Sequence, residues 1–225
     1  MLKRIPFPRS EKGWEWMGVL FLLALGMRWI YLEEIERSPF FDVPVGDART
    51  YLDRAVQTTQ GSIPAHSPLY PYFLGGLYRI WGKSFYVLRL IQFLIGSLSC
   101  VLVYAIGRRA FGRGVGMVAG LMAAGYGISI YLEGEFLPTA LGSFLNLALV
   151  LVLLWAAEGV RWWRRIHTIR WLSAGVLLGL SALTVANTLL FAPFVLLWIV
   201  LGTSPAPLPL CPSAGEQGGR GHWSF

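Results

Sequence analysis

The stretch VLRLIQFLIGSLSCVLVYAIGRRAFGRG, residues 87–114, decides the fold. From Val87 to Ile106 it is apolar almost throughout, and it ends on Arg108, Arg109 and Arg113. A helix needs ~20 apolar residues to cross a hydrocarbon core of roughly 30 Å, so this stretch reads as part of a span near 85–106. Working outward, similar segments run near 14–32, 115–132 and 136–156. Two shorter ones, near 171–186 and 188–202, read as a hairpin turning at Asn187. The expected fold class is all-α membrane: a multi-pass helical bundle of about six spans.

Composition agrees. Of 225 residues 55% are hydrophobic and 14% charged, where a soluble domain carries about 25% charged residues. Ten tryptophans and a mean hydropathy of +0.56 point the same way. The net charge of +7 is spread between apolar spans and not gathered in one patch, which speaks against a nucleic-acid partner. Cys100 and Cys211 make no disulfide framework. His66, His167 and His222 are too scattered for a zinc cluster. The first apolar segment runs into YLEEIERSPFF with no small-residue cleavage site, so it is not a cleaved signal peptide.

Charge sets an orientation. Lys3, Arg4, Arg9 and Lys12 precede the first span. Arg108, Arg109 and Arg113 lie between the second and third, and Arg161, Arg164, Arg165 and Arg170 between the fourth and fifth. Counting spans puts all three groups on one side, which the positive-inside rule makes cytoplasmic. The other side receives Glu33, Glu34, Glu36, Asp42, Asp47, Asp53, Glu133 and Glu135, eight of the twelve acids. The chain therefore divides into a cytoplasmic N-terminus (1–13), a transmembrane region (14–202) with an outer loop (33–84), and a tail (203–225). The tail is rich in Pro, Gly and Ser, and reads as disordered or aberrant, as from a truncated or shifted reading frame. The expected location is the plasma (inner) membrane.

The outer loop is long enough to need a task. Ala48, Tyr51, Leu52, Ala55 and Val56 recur at helical spacing, predicting an amphipathic helix over 48–59 closed by Gly61. LYPYFLGGLYRIWG, ending in Arg79 and Lys83, has the aromatic and cationic make-up of a membrane-interface segment. Asp47 directly precedes the amphipathic helix, where it suits either an N-cap or a working carboxylate. Asp53, with Arg49 and Arg54 close by in sequence, reads as one side of a solvated ion pair. Glu133 and Glu135 stand at the outer end of spans three and four, as wetted helix-mouth acids or members of a site. Arg28, in the outer third of span one, either snorkels outward or meets one of these acids. His66 is a plain loop histidine or a donor to a phosphate. Gly26, Gly75, Gly76, Gly96, Gly107, Gly116 and Gly120 read as helix-packing points. There is no Walker pattern and no G-x-G-x-x-G after a strand.

The order of these segments carries a resemblance. GDARTYLDRA (46–55), HSPLYPYFLGGLYRIWG (66–82), the basic-ended second span, YLEGEFLPTALGSFLNLALVLVLL (131–154) and GVLLGLSALTVANTLLFAPFVLLW (175–198) together resemble bacterial GT-C glycosyltransferases of the dolichyl-phosphate-mannose protein mannosyltransferase-like family. The resemblance covers about residues 14–202. It implies an enzyme moving a sugar from a polyprenyl-phosphate donor to a protein, lipid or glycan acceptor at the outer face. In that family an acid of the first outer loop is catalytic, and Asp47 stands at the matching place. Glu133 or Glu135 would match a second acid, and HSPLYP the interface helix near the lipid phosphate, where His66 and Arg28 are candidate phosphate contacts. Where many relatives have a basic residue and proline before the sixth span, this chain has Val185 and Ala186. Relatives also continue through further spans, so a fragment ending here is expected to transfer little sugar alone. No cofactor is defined; a divalent metal suits the chemistry, but no dedicated site is evident. The competing reading, a transporter half or scaffold, lacks the paired repeats and midplane polar groups of transporters.

Overall fold

The computed structural model describes residues 13–61, 67–157 and 164–201. All regular structure among them is helical: α1 (Gly13–Glu36), α2 (Asp47–Thr59), α3 (Leu69–Trp81), α4 (Phe85–Phe111), α5 (Arg113–Ala124), α6 (Gly127–Gly134), α7 (Thr139–Ala157), α8 (Arg164–Thr184) and α9 (Ala192–Leu201), with a 3-10 helix at Ala186–Phe191. The N-terminal residues before Gly13, His66 and the tail lie outside the described residues.

Three helices, α1, α4 and α7, are each long and apolar enough to cross a membrane. At ~1.5 Å per residue the 27 residues of α4 reach about 40 Å. The expected third span is not one straight helix. It divides into α5 and α6, which meet at 50° across Gly125 and Tyr126. Tyr126 is extended there (φ −76°, ψ 94°), so the backbone bond ladder is interrupted between two glycines. The expected turn at Asn187 also differs. Helix α8 stops at Thr184, Val185 is extended (φ −141°, ψ 108°), and Asn187 falls inside the 3-10 helix. Pro193, which has no N–H to give, then fits the first turn of α9.

Helix α4 is the hub, packing against α1, α5 and α7. Its approach to α5 depends on glycine. A methyl group on Gly116 would stand 2.6 Å from the Arg108 nitrogen and 2.8 Å from the Tyr104 oxygen, and one on Gly107 would stand 2.9 Å from the Gly116 Cα. Gly120 admits Leu20 and Tyr104 in the same way, so Gly116 and Gly120 act as a small-xxx-small face. Gly75 lets α3 touch α2 at Ala55 and Thr58. Gly26 and Gly76 face open space and are not packing points.

The helix expected after residue 47 is present, with Ala48, Leu52 and Ala55 buried. These three join Tyr70, Leu74 and Leu77 of α3, Leu88 of α4 and Phe136 in one apolar cluster. The cluster puts the long loop and the α6–α7 turn at the same end of the bundle.

Candidate functional site

Helix α1 carries Arg28 into the interior at 1% exposure, and the last turn of α6 brings Glu133 to it at 5%. Arg28 Nε donates to Glu133 Oε2 at 2.6 Å and Nη2 donates to Oε1 at 3.0 Å. Nη1 donates to the Ala24 carbonyl at 3.1 Å, and Ser129 Oγ donates to Glu133 Oε1 at 2.8 Å. Gly96 of α4 lies directly behind the carboxylate, which occupies the space its Cβ would need. Arg28 therefore meets an acid instead of snorkelling. A charge pair so far from water persists because its geometry is bidentate and its remaining groups are hydrogen-bonded. Beside it opens a cavity of about 290 Å³, lined in part by Arg28, Ser99, Cys100, Tyr126, Ser129 and Glu133.

One and two turns of α4 before Gly96, Gln92 and Arg89 are also buried, at 0% and 4% exposure. Arg89 Nε donates to the Gly134 carbonyl at 2.9 Å and Nη1 to the Phe41 carbonyl at 3.0 Å. Its guanidinium lies over the Phe41 and Phe136 rings at 4.1 and 4.7 Å. Gln92 Nε2 reaches the Tyr70 hydroxyl and the Glu135 carbonyl, both at 3.1 Å, and the Leu137 carbonyl at 3.4 Å. Between α6 and α7 the chain is not helical, so its carbonyls need partners where water is scarce. Arg89 and Gln92 supply them. Both residues escaped the sequence reading, although an arginine and a glutamine three apart in an apolar span share one helix face and signal a polar cluster.

The acids differ sharply in setting. Asp47 is exposed at the first position of α2. It is not the cap. Gly46 holds that place with φ 62° and ψ −130°, and no side chain caps the helix. Its carboxylate thus makes no capping bond. Glu135, half-buried, follows α6 directly and lies within electrostatic reach of Arg89, as does Asp42. Asp53 is exposed and forms no ion pair within 4 Å among the described residues; Arg54 instead lies over the Tyr51 ring at 5.8 Å. On α3, burial, with Asp53 second, pushes the Tyr78 phenol up to about 12. Burial likewise raises Tyr70 well above the ordinary phenol range, against the opposing hydrogen bond from Gln92. No three His, Cys, Asp or Glu side chains cluster to hold a metal ion among the described residues.

The structure thus gathers Arg28, Glu133 and Glu135 around α4. It sets Asp47 on a helix whose next residue, Ala48, shares a cluster with Phe136, the neighbour of Glu135. Apolar helices with an acid-bearing loop platform at one end fit a membrane glycosyltransferase of the GT-C type, and residues 65–208 match the family model described as dolichyl-phosphate-mannose-protein mannosyltransferase. The chain belongs to that family. The matched segment contains Arg89, Gln92, Glu133 and Glu135, while Arg28 and Asp47 precede it. No curated protein and no solved structure matches the chain.

Proposed function

We propose that the protein transfers a sugar from a polyprenyl-phosphate donor to a hydroxyl-bearing acceptor at the outer face of the plasma membrane, with Asp47 as the general base. The observation that carries this is the contrast among the acids. Asp47 combines an exposed carboxylate that no side chain engages among the described residues with a place beside Ala48, which packs with Phe136 next to Glu135; Asp53 is equally exposed but lies six residues further along α2. Glu133 is occupied by Arg28 and Ser129.

In the reaction, the acceptor oxygen bonds to the anomeric carbon as the bond from that carbon to the phosphate oxygen breaks. The hydroxyl proton passes to Asp47, and the polyprenyl phosphate leaves with the electron pair. General-base help of this kind contributes roughly 10²–10⁴-fold. Glu135 orients a sugar or acceptor hydroxyl beside it. His66 and Arg28 remain candidate phosphate contacts; for Arg28 this requires Glu133 to release it. Glu133 otherwise serves to hold α6 in place.

The test is release of polyprenyl phosphate by membranes carrying equal amounts of the parent and Asp47→Asn proteins. Loss of transfer by roughly two orders of magnitude is expected. Transfer near the parent level removes Asp47 from the role and passes it to Glu135.

A further inference from the structure

Two segments without regular structure deliver the candidate carboxylates. The loop after α1 passes Phe41 and enters α2 at Asp47, and the link after α6 begins at Glu135. Nothing in the local backbone of either fixes its position relative to the other. One side chain touches both. Arg89 spans them with Nη1 on the Phe41 carbonyl and Nε on the Gly134 carbonyl, the residue before Glu135. The Phe41 and Phe136 rings lie on its guanidinium and keep it in place.

We infer that Arg89 is a positioning residue that sets the separation of Asp47 and Glu135 by clamping the Phe41 loop to the α6–α7 link; for its kinetic consequence this rests on the proposed function above. The guanidinium is suited to the task. It is a planar fork whose donors point in fixed, divergent directions, and its flat face stacks on aromatic rings. A lysine ammonium keeps the charge but acts as a single point, and cannot hold two carbonyls and two rings in one geometry. Gln92 supports only one side of the clamp, since its partners are the Tyr70 hydroxyl and the Glu135 and Leu137 carbonyls. The Phe41 ring also packs with Leu32, Phe93 and Ile130, but the hydrogen-bonded tie between its loop and the α6–α7 link runs through Arg89. Because orientation alone can be worth 10²-fold for a misplacement of about 1 Å, a loosened clamp acts on turnover more than on binding.

The experiment uses the full chain in lipid nanodiscs, with Cys100→Ser and Cys211→Ser, and spin labels at Val45→Cys and Tyr131→Cys, both exposed positions. Pulsed electron spin resonance reads the distance between the Asp47 loop and α6. Arg89→Lys is the main variant because it keeps the cation and the stem and is the more easily folded; Arg89→Gln is the second. A single narrow distance in the parent, broadened in both variants, is expected. In membranes at matched protein levels, kcat for polyprenyl-phosphate release should fall at least about tenfold, with KM within about twofold. Unchanged distances in the variants overturn the inference, whatever the assay gives. A rise in KM at constant kcat also overturns it, by making Arg89 a substrate contact. A narrow distance in the parent that broadens in both variants, with no release of polyprenyl phosphate by the parent, supports the clamp and sinks the proposed function alone.

Discussion

Arg28 and Glu133, 105 residues apart in the chain, form a bidentate ion pair with Nε and Oε2 at 2.6 Å inside the helical bundle. The pair fastens α1 to the short helix α6, the second half of a span that is broken at Gly125. An eight-residue helix has little stability of its own, so α6 depends on such tertiary ties. Ser129 and Gly96 complete the setting, one by donating to the carboxylate and the other by leaving it room.

Removing one partner of this pair leaves a buried charge uncompensated, a loss of about 3–5 kcal/mol. Arg28→Met and Glu133→Leu should each lower the thermal midpoint in mild detergent and reduce the amount inserted. The double variant, which buries no charge, should recover most of the loss. Single variants as stable as the parent would show that the pair does not hold the bundle.

Glycine substitutions should separate contact points from open ones. Gly116→Ala drives a methyl group against the α4 backbone and should cost about 1–3 kcal/mol. Gly76→Ala meets nothing within 4 Å inside α3, and should be neutral or stabilising by up to ~1 kcal/mol. Thermal unfolding of both checks the order; equal effects would contradict the α4–α5 contact.

Asp47→Asn should leave stability unchanged within about 0.5 kcal/mol, because Asp47 makes no capping bond to lose. Asp53→Asn should leave transfer nearly intact, since Asp53 is exposed and has no ion-pair partner among the described residues. Membrane level and polyprenyl-phosphate release are measured together. A folding defect in Asp47→Asn would recast that carboxylate as structural.

At alkaline pH the folded protein should resist losing the Tyr78 proton until about pH 12, while the same phenol in the unfolded chain ionises near 10. Between those values the unfolded state binds fewer protons, so stability falls as pH rises. The Tyr78 contribution is fully present below pH ~10 and is lost by about pH 12. Tyr78→Phe should flatten that part of the stability curve followed by circular dichroism. An unaltered curve would place the alkaline sensitivity elsewhere.

Orientation is open to chemical labelling. With Cys100 and Cys211 replaced by serine, Gln57→Cys should react with an impermeant thiol reagent on intact cells, and Phe111→Cys only after the membrane is permeabilised. The reverse pattern would invert the topology and place Asp47 on the cytoplasmic side.

The helical class and the amphipathic face of α2 are legible in one dimension. Span length follows from the thickness of hydrocarbon, and the buried face of α2 from helical spacing at Ala48, Leu52 and Ala55. Two local features were misjudged for local reasons. The glycines around Tyr126 bend a span that hydropathy alone presents as continuous, and the residues near Asn187 wind into a 3-10 helix instead of a simple turn. The site was legible only as a list of candidates.

Which of those candidates meet was decided by tertiary structure. Hydropathy shows that a helix crosses the membrane but leaves its rotation about its own axis nearly undetermined, because lipid and protein neighbours are both apolar. That rotation turns Arg28 inward to Glu133 and brings Arg89 between the carbonyls of Phe41 and Gly134. The sequence by itself determined the helical class, the apolar solvent and the acids available to a site. Close packing decided the polar contacts, as at Gly96, where the Glu133 carboxylate occupies the space a side chain would need.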